Sequence, residues 1–255
     1  MIDRRVLLTK ARERNLPLGM VEKDYVLGWL LFGISGIKGL VLKDGTALSK
    51  IYFPRIWRLS EDIDLVFRGD FTEITEGFVE IFDKIEKKSG ISLALKSQHS
   101  NPEYLQMKIQ YAAILGKDWA KIDVTREAPI DRVSGKMLEE AYSDYPDFKI
   151  PVESLEEIGA EKLRSLLERK KSRDFYDVWR LLQSMPNLEK LRTLFLEKCR
   201  FKSIEFRGPE QFFPEGLLEI LQGYWQREMG RLVYPVPELA EVVEDLKIWL
   251  RFLEG

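Results

Sequence analysis

The chain has 255 residues, of which 45% are hydrophobic and 32% charged, so it can bury a substantial core as one large domain or two smaller ones and is not a disordered chain. Its net charge of −2 excludes a wholly basic nucleic-acid coat, although a local basic cleft is compatible with that total. A single cysteine, Cys199, and a single histidine, His99, exclude an intramolecular disulfide, a cysteine-based zinc site and most histidine-dependent triads.

In chain order, residues 4–14 read as a charged helix stopped by Asn15 and Pro17. Val21, Tyr25, Leu27, Leu30 and Leu31 predict a second helix with one apolar face, ending among Gly33, Gly36 and Gly39. Leu40-Val41-Leu42 reads as a strand, Gly45 follows, and residues 46–52 read as a helix closed by Pro54. Residues 63–67 form the next expected strand, and residues 72–88 a helix ended by Ser89-Gly90. Residues 91–96, 104–111 and 120–125 are three further strands. From about Pro151 helical periodicity dominates. The expected organisation is N-terminal helices over residues 1–35, an α+β core with a mixed sheet flanked by helices over 36–150, and a helical C-terminal domain over 151–255. The first residues lack a signal peptide's apolar run, and residues 25–37 are too short and glycine-interrupted to span a bilayer. A cytoplasmic location and no membrane partner are expected.

The segment richest in chemistry runs from Gly45 to Leu65. Alternation along a strand sends Asp62 and Asp64 to one face while Ile63 turns into the core. Two carboxylates so close repel unless a cation neutralises them. With so little histidine and cysteine the ligands must be oxygens, which favours Mg²⁺ or Mn²⁺. Gly45 marks a strand-to-helix junction, where backbone N–H groups are open to an anion, although a glycine there is more often only a turn. Lys121-Ile122-Asp123-Val124-Thr125 offers a third carboxylate between apolar neighbours, with Lys121 and Thr125 sharing the face of Asp123.

These residues, in the order DGTALSKIYFPRIWRLSEDIDLVF, resemble the Gly-Gly-Thr-Ala-Leu…Ser-x-Asp-x-Asp-Leu signature of the AbiEii/AbiGii nucleotidyltransferase toxin family, within the DNA polymerase beta-like nucleotidyltransferase superfamily. EKDYVLGWLL before the signature and IGAEKLRSLLERKKSRDFYDVWRLL after it are also similar to family segments. The resemblance implies a nucleotidyltransferase-type mixed sheet, with Asp62, Asp64 and Asp123 as metal ligands and as catalytic residues. It matches Gly45 and Thr46 to the nucleotide-binding loop, with Ser49 grouped beside them. Lys162 is implied as a catalytic residue that contacts the nucleotide phosphates, and Arg173, Asp174 and Asp177 as residues that line or brace the site. Asp44 stands where the family usually carries the first glycine of its pair. On this basis the expected activity moves a nucleoside monophosphate from an NTP to an acceptor hydroxyl, the 3′ end of a tRNA or a protein side chain. The chain would then be the toxin of a toxin–antitoxin or abortive-infection system, with a cognate antitoxin as partner. The alternative is a catalytically inactive nucleotidyltransferase-fold binding module or scaffold, which Asp44 favours; a magnesium-dependent nuclease accounts less well for the Gly-Thr junction.

The later segment leaves two readings open. One continuous helix over 161–173 would align Lys162, Arg169 and Arg173, whereas Ser172 could cap a new helix with Phe175, Val178, Trp179 and Leu182 as its buried stripe. Ordinary charged-surface ion pairs explain Arg169 and Asp174 as well as any site does. His99 reads as an exposed loop residue, Cys199 as structural, and Trp225 and Trp249 as helix core.

Overall fold

Asp3 caps the first helix, α1 (Arg4–Arg14), by accepting the Arg5 N–H at 2.6 Å, and Asn15 ends it in the left-handed conformation. The computed structural model describes residues 1–54, 57–138 and 142–254, which belong to two compact units, Met1–Glu153 and Ser154–Gly255. No helix among the described residues is long and apolar enough to cross a membrane.

The second helix, α2 (Leu18–Ile34), departs from the expected one-sided amphipathic pattern, because every residue from Met20 to Ile34 is buried. It packs against α1, against the long helix α4 (Phe71–Ser89) and against strand β4 (Tyr104–Ala113), so it has no free side. Its three consecutive charged residues therefore each require a partner. The Glu22 carboxylate accepts the Leu115 N–H at 2.6 Å. Lys23 pairs with Asp118 at 3.6 Å and lies over the Trp119 ring. Asp24 pairs with Lys50 at 2.7 Å, both fully buried, and its backbone carbonyl accepts from the same ammonium at 2.8 Å. Burial pulls the Lys50 pKa below its ordinary value against the attraction of Asp24. Gly28 lets Tyr145 reach the helix backbone, since a Cβ there would meet the phenol oxygen at 2.2 Å.

The first unit contains a seven-stranded mixed sheet. Its strands are β1 (Val41–Lys43), β2 (Asp62–Val66), β3 (Ser92–Asn101), β4, β5 (Gly116–Thr125), β6 (Ser134–Met137) and β7 (Lys149–Val152), in the spatial order β3-β4-β5-β2-β1-β7-β6. The β3-β4-β5 meander and the β1–β2 and β6–β7 pairs are antiparallel, while β2–β5 and β1–β7 are parallel. Ile63, Leu65, Leu105, Met107, Ile122 and Val124 bury one face of this sheet. β3 and β5 are longer than their sequence suggests, because Ser97-Gln98-His99-Ser100-Asn101 and Gly116-Lys117-Asp118 are polar residues held in strands by antiparallel pairing. His99 consequently lies in an exposed edge strand rather than a loop. The short strands β6 and β7 carry no signal that the sequence reading detected. The helix expected over 46–52 is a short α-turn, α3 (Asp44–Ala47), that continues as a π-turn over Leu48–Tyr52.

The second unit is helical: α5 (Leu155–Glu168), α6 (Ser172–Leu182), α7 (Leu188–Phe201), α8 (Leu217–Gln222), α9 (Trp225–Met229) and α10 (Leu239–Trp249). Their core joins Phe175, Phe195, Phe212, Trp225 and Leu246. Ser154 and Asn187 cap α5 and α7 through their side chains. Arg169 is extended, so residues 161–173 do not form one helix. Lys171 occupies the cap position of α6, and Ser172 is its first helical residue rather than its cap. Cys199 is buried in α7, and burial pushes its thiol up to about 11. Trp225 is core, with its indole N–H donating to the Pro237 carbonyl at 2.7 Å, while Trp249 is half-buried and stacks on Trp179.

The Asp24–Lys50 pair predicts an asymmetric mutational response. Lys50→Met alone should lower the unfolding free energy by about 3 kcal/mol or more, because Asp24 is left buried without its cation. The double change Lys50→Met with Asp24→Asn should recover a large part of that loss in urea denaturation, whereas additive losses would contradict the pairing.

Candidate active site

The polar face of the sheet is assembled by register. β2 and β5 run parallel with Asp62 beside Lys121 and Asp64 beside Asp123. Lys43 of β1 lies opposite Asp64, and Gln106 of β4 lies opposite Asp123. Lys43, Asp64, Asp123 and Gln106 thus form one row across four neighbouring strands. Asp62, Lys121 and Lys108 form the next row. Neighbouring strands are about 4.8 Å apart, so Asp64 and Asp123 stand side by side with Asp62 one row away on the same face, and their like charges repel.

Lys121 relieves part of that repulsion. Its ammonium lies 2.7 Å from Asp123 Oδ2 and 3.4 Å from Asp62 Oδ2. Burial acts to lower the Lys121 pKa, but the hydrogen bond to Asp123 and the charges of Asp62, Asp123 and Asp64 outweigh it and leave it raised. The other oxygen of Asp123 accepts from the Tyr104 hydroxyl at 2.6 Å and from Gln106 Nε2 at 3.0 Å. Burial, together with the bond to Asp123 and its charge, pushes the Tyr104 phenol up to about 12.

The start of α3 is fixed to the same strand. The Thr46 hydroxyl donates to the Asp62 carbonyl, to which Ser60 Oγ also donates at 3.4 Å. Thr46 and Ser49 are buried, and Ser49 Oγ donates to the Thr46 carbonyl at 3.4 Å. Both hydroxyls therefore serve internal bonds. A Cβ on Gly45 would approach Arg58 Nη2 to 3.0 Å and Ser60 Oγ to 3.4 Å, a tight fit that a shift of a few tenths of an ångström in those side-chain ends relieves. Asp44 has φ of 58°, in the region where glycine is at ease and aspartate is among the better-tolerated side chains. Its Oδ1 accepts the Gly45 N–H at 2.6 Å, placing a carboxylate on the first amide of the junction.

The second unit holds the other expected site residues. Lys162 on α5 is buried and pairs with the buried Asp177 of α6 at 2.8 Å, with Asp174 at 3.9 Å. Arg169 grips Asp174 with two hydrogen bonds, at 2.7 and 3.1 Å. Arg173 is half-buried on α6. Sequence reading missed Lys43, Arg58, Tyr104 and Gln106. Tyr104 and Gln106 alternate with Leu105 and Met107, which marks a half-buried strand, but only the long-range pairing shows that they meet Asp123.

Asp62, Asp64 and Asp123 offer three carboxylates on one face of two adjacent strands, the oxygen donors a divalent cation takes, with Lys121 between two of them; their oxygens do not all lie within 4.8 Å of one another in this structure.

Comparison with known proteins agrees with this architecture. MenT4, the nucleotidyltransferase toxin Rv2826c from Mycobacterium tuberculosis H37Rv, is 20% identical with a TM-score of 0.73, over 99% of this chain and 90% of that one. JHP933 from Helicobacter pylori is 17% identical with a TM-score of 0.62, over 93% of each chain. No curated protein sequence matches. The family model for the nucleotidyl transferase AbiEii toxin of type IV toxin–antitoxin systems matches residues 30–249. With a nucleotidyltransferase-type mixed sheet and most of its length matched, the chain belongs to the AbiEii nucleotidyltransferase toxin family.

Proposed function

We propose that the chain is a Mg²⁺- or Mn²⁺-dependent nucleotidyltransferase that moves a nucleoside monophosphate from an NTP to an acceptor hydroxyl, and that it acts as the toxin of a toxin–antitoxin pair. The observation that carries this reading is the register placing Asp64 beside Asp123 with Asp62 on the same face. Family membership supports nucleotidyl transfer as the reaction class. Asp62, Asp64 and Asp123 would hold the metal, and a divalent cation bound there would shield the triphosphate and favour ionisation of the acceptor hydroxyl. The acceptor oxygen gives up its proton to Asp123 or to water and bonds to the α-phosphorus, as the bond from that phosphorus to the bridging oxygen breaks and pyrophosphate leaves. Tyr104 and Gln106 fix the orientation of Asp123, which suits it to positioning the acceptor.

Gly45, Thr46 and Ser49 belong to the junction proposed to receive the nucleotide, with the two hydroxyls bracing it from inside. Lys162 is assigned to the nucleotide phosphates, with Arg173 and Asp177 as its companions. The Lys162–Asp177 pair supports a lysine held in one position. For the acceptor we favour a tRNA 3′ end, with a protein side chain as the other choice; exposed Lys171 on the second unit supports an anionic partner. A cognate antitoxin follows from the system type.

Purified protein incubated with Mg²⁺, each labelled NTP and total cellular RNA should yield labelled RNA. Asp62→Asn or Asp64→Asn should reduce that yield by about a thousandfold or more, the order expected when catalytic charge stabilisation is lost. Labelled protein without labelled RNA would redirect the acceptor assignment, and no product with any NTP would reject the transferase reading.

The second reading, a binding module without turnover, draws on Asp44. A carboxylate on the Gly45 amide opposes a phosphate at the same place. If the wild-type chain is the weaker enzyme for this reason, Asp44→Gly should lower the KM for NTP severalfold with little change in kcat. An unchanged or raised KM would show that Asp44 does not compete with nucleotide.

A further inference from the structure

We propose that Lys121 is the resident counter-cation of the aspartate cluster, and that a divalent metal binds there by displacing its ammonium. The inference rests on the reading of Asp62, Asp64 and Asp123 as metal ligands and adds to it a competitor built into the chain.

Lys121 reaches one oxygen of Asp123 and one of Asp62, two of the three carboxylates that the register gathers. A divalent ion bound to those oxygens would stand within a few ångströms of the ammonium, and at that separation the repulsion between the charges is severe. The two cations therefore exclude each other. Lys43 stands opposite Asp64, and Lys121 offsets one charge of the Asp62 and Asp123 carboxylates it touches, so a doubly charged ion on the same oxygens neutralises more of that charge than the ammonium does. Lys121 can leave, because its side chain is 30% exposed and its four-carbon stem is flexible. Its neighbour Lys108, opposite it on β4, is engaged elsewhere, with its ammonium 3.7 Å from the centroid of the Trp119 ring. Asp123 keeps its second oxygen on Tyr104 and Gln106 throughout, so its orientation survives the exchange.

Three consequences follow. The metal-free site is protected against its own repulsion, so the sheet folds before metal arrives. Metal affinity is lower than the three carboxylates alone would give, since every binding event also breaks the Lys121 contacts. Release of Lys121 adds a mobile cation at the rim of the cluster at the moment the metal arrives.

The test is Mn²⁺ titration of the full chain, followed by electron paramagnetic resonance of the free ion, for wild type, Lys121→Met and Asp64→Asn. Lys121→Met should bind Mn²⁺ about tenfold more tightly than wild type, and Asp64→Asn should lose most binding. Without metal, Lys121→Met should melt below wild type, and saturating Mn²⁺ should raise its Tm by more than it raises that of wild type. A Lys121→Met affinity equal to or weaker than wild type, with Asp64→Asn still defective, would overturn the displacement and leave the ligand assignment standing. Equal binding by wild type and Asp64→Asn would overturn the ligand assignment itself.

A second measurement needs no variant. Mild acetylation of the wild-type chain, mapped by mass spectrometry, should modify Lys121 severalfold faster with Mg²⁺ than without it, relative to Lys108. Unchanged or slower modification of Lys121 under saturating Mg²⁺ would count against its release.

Discussion

The parallel pairing of β2 with β5 is the constraint on which the polar face depends. These strands are far apart in sequence, joined through α4 and the β3–β4 hairpin, yet their register sets the spacing of three carboxylates. A slip of one residue would send Asp123 into the core and Ile122 to the polar face. That slip is resisted from the other side of the sheet, where Ile63, Leu65, Ile122 and Val124 are buried almost completely. Burying each such side chain contributes about 1.5–3 kcal/mol. Apolar burial on one face thereby maintains an electrostatically unfavourable arrangement on the other, and Lys121 offsets part of its cost.

The start of α3 depends on the same strand and on α2. Thr46 and Ser60 converge on the Asp62 carbonyl, so the junction and the first carboxylate move as one piece. A few residues later Lys50 anchors the π-turn to Asp24, deep in the first unit. The Glu22-Lys23-Asp24 run reads as a solvated charged patch in isolation. In the fold it is three clamps from a buried helix, pointing successively to the β4–β5 turn, to β5 and to the π-turn. Helical geometry explains the division, since successive side chains diverge by about 100°.

Local patterns made much of the fold legible. The bounds of α1 follow from Asn15 and Pro17, and the end of α4 from Gly90, which takes the left-handed conformation. The acidic alternation at Asp62 and Asp64 is likewise a local signal. Elsewhere the information was not local. The polar residues of β3 form a strand because β4 pairs with them, and the four-residue strands β6 and β7 are defined by their pairing with each other and of β7 with β1. Periodicity placed Lys162, Arg169 and Arg173 on a shared stripe only under the assumption of one helix; the extended Arg169 removes that assumption. The partners of Asp123 were hidden for the same reason, because Tyr104 and Gln106 are defined as partners by strand pairing.

Buried lysines recur in both units, and their burial separates two kinds of work. Lys50 is held by Asp24, and Lys198 by Glu157 and Glu161, with each ammonium almost completely enclosed. Removing either member of such a pair leaves a charge that water cannot reach, so these contacts act as permanent locks. Lys121 has comparable partners and distances but keeps a path to solvent. Its departure exposes an ammonium to water, where hydration compensates for the lost contacts, and leaves behind carboxylates that an incoming ion can satisfy. The difference between a lock and an exchangeable counter-ion therefore lies in solvent access more than in the strength of the pair.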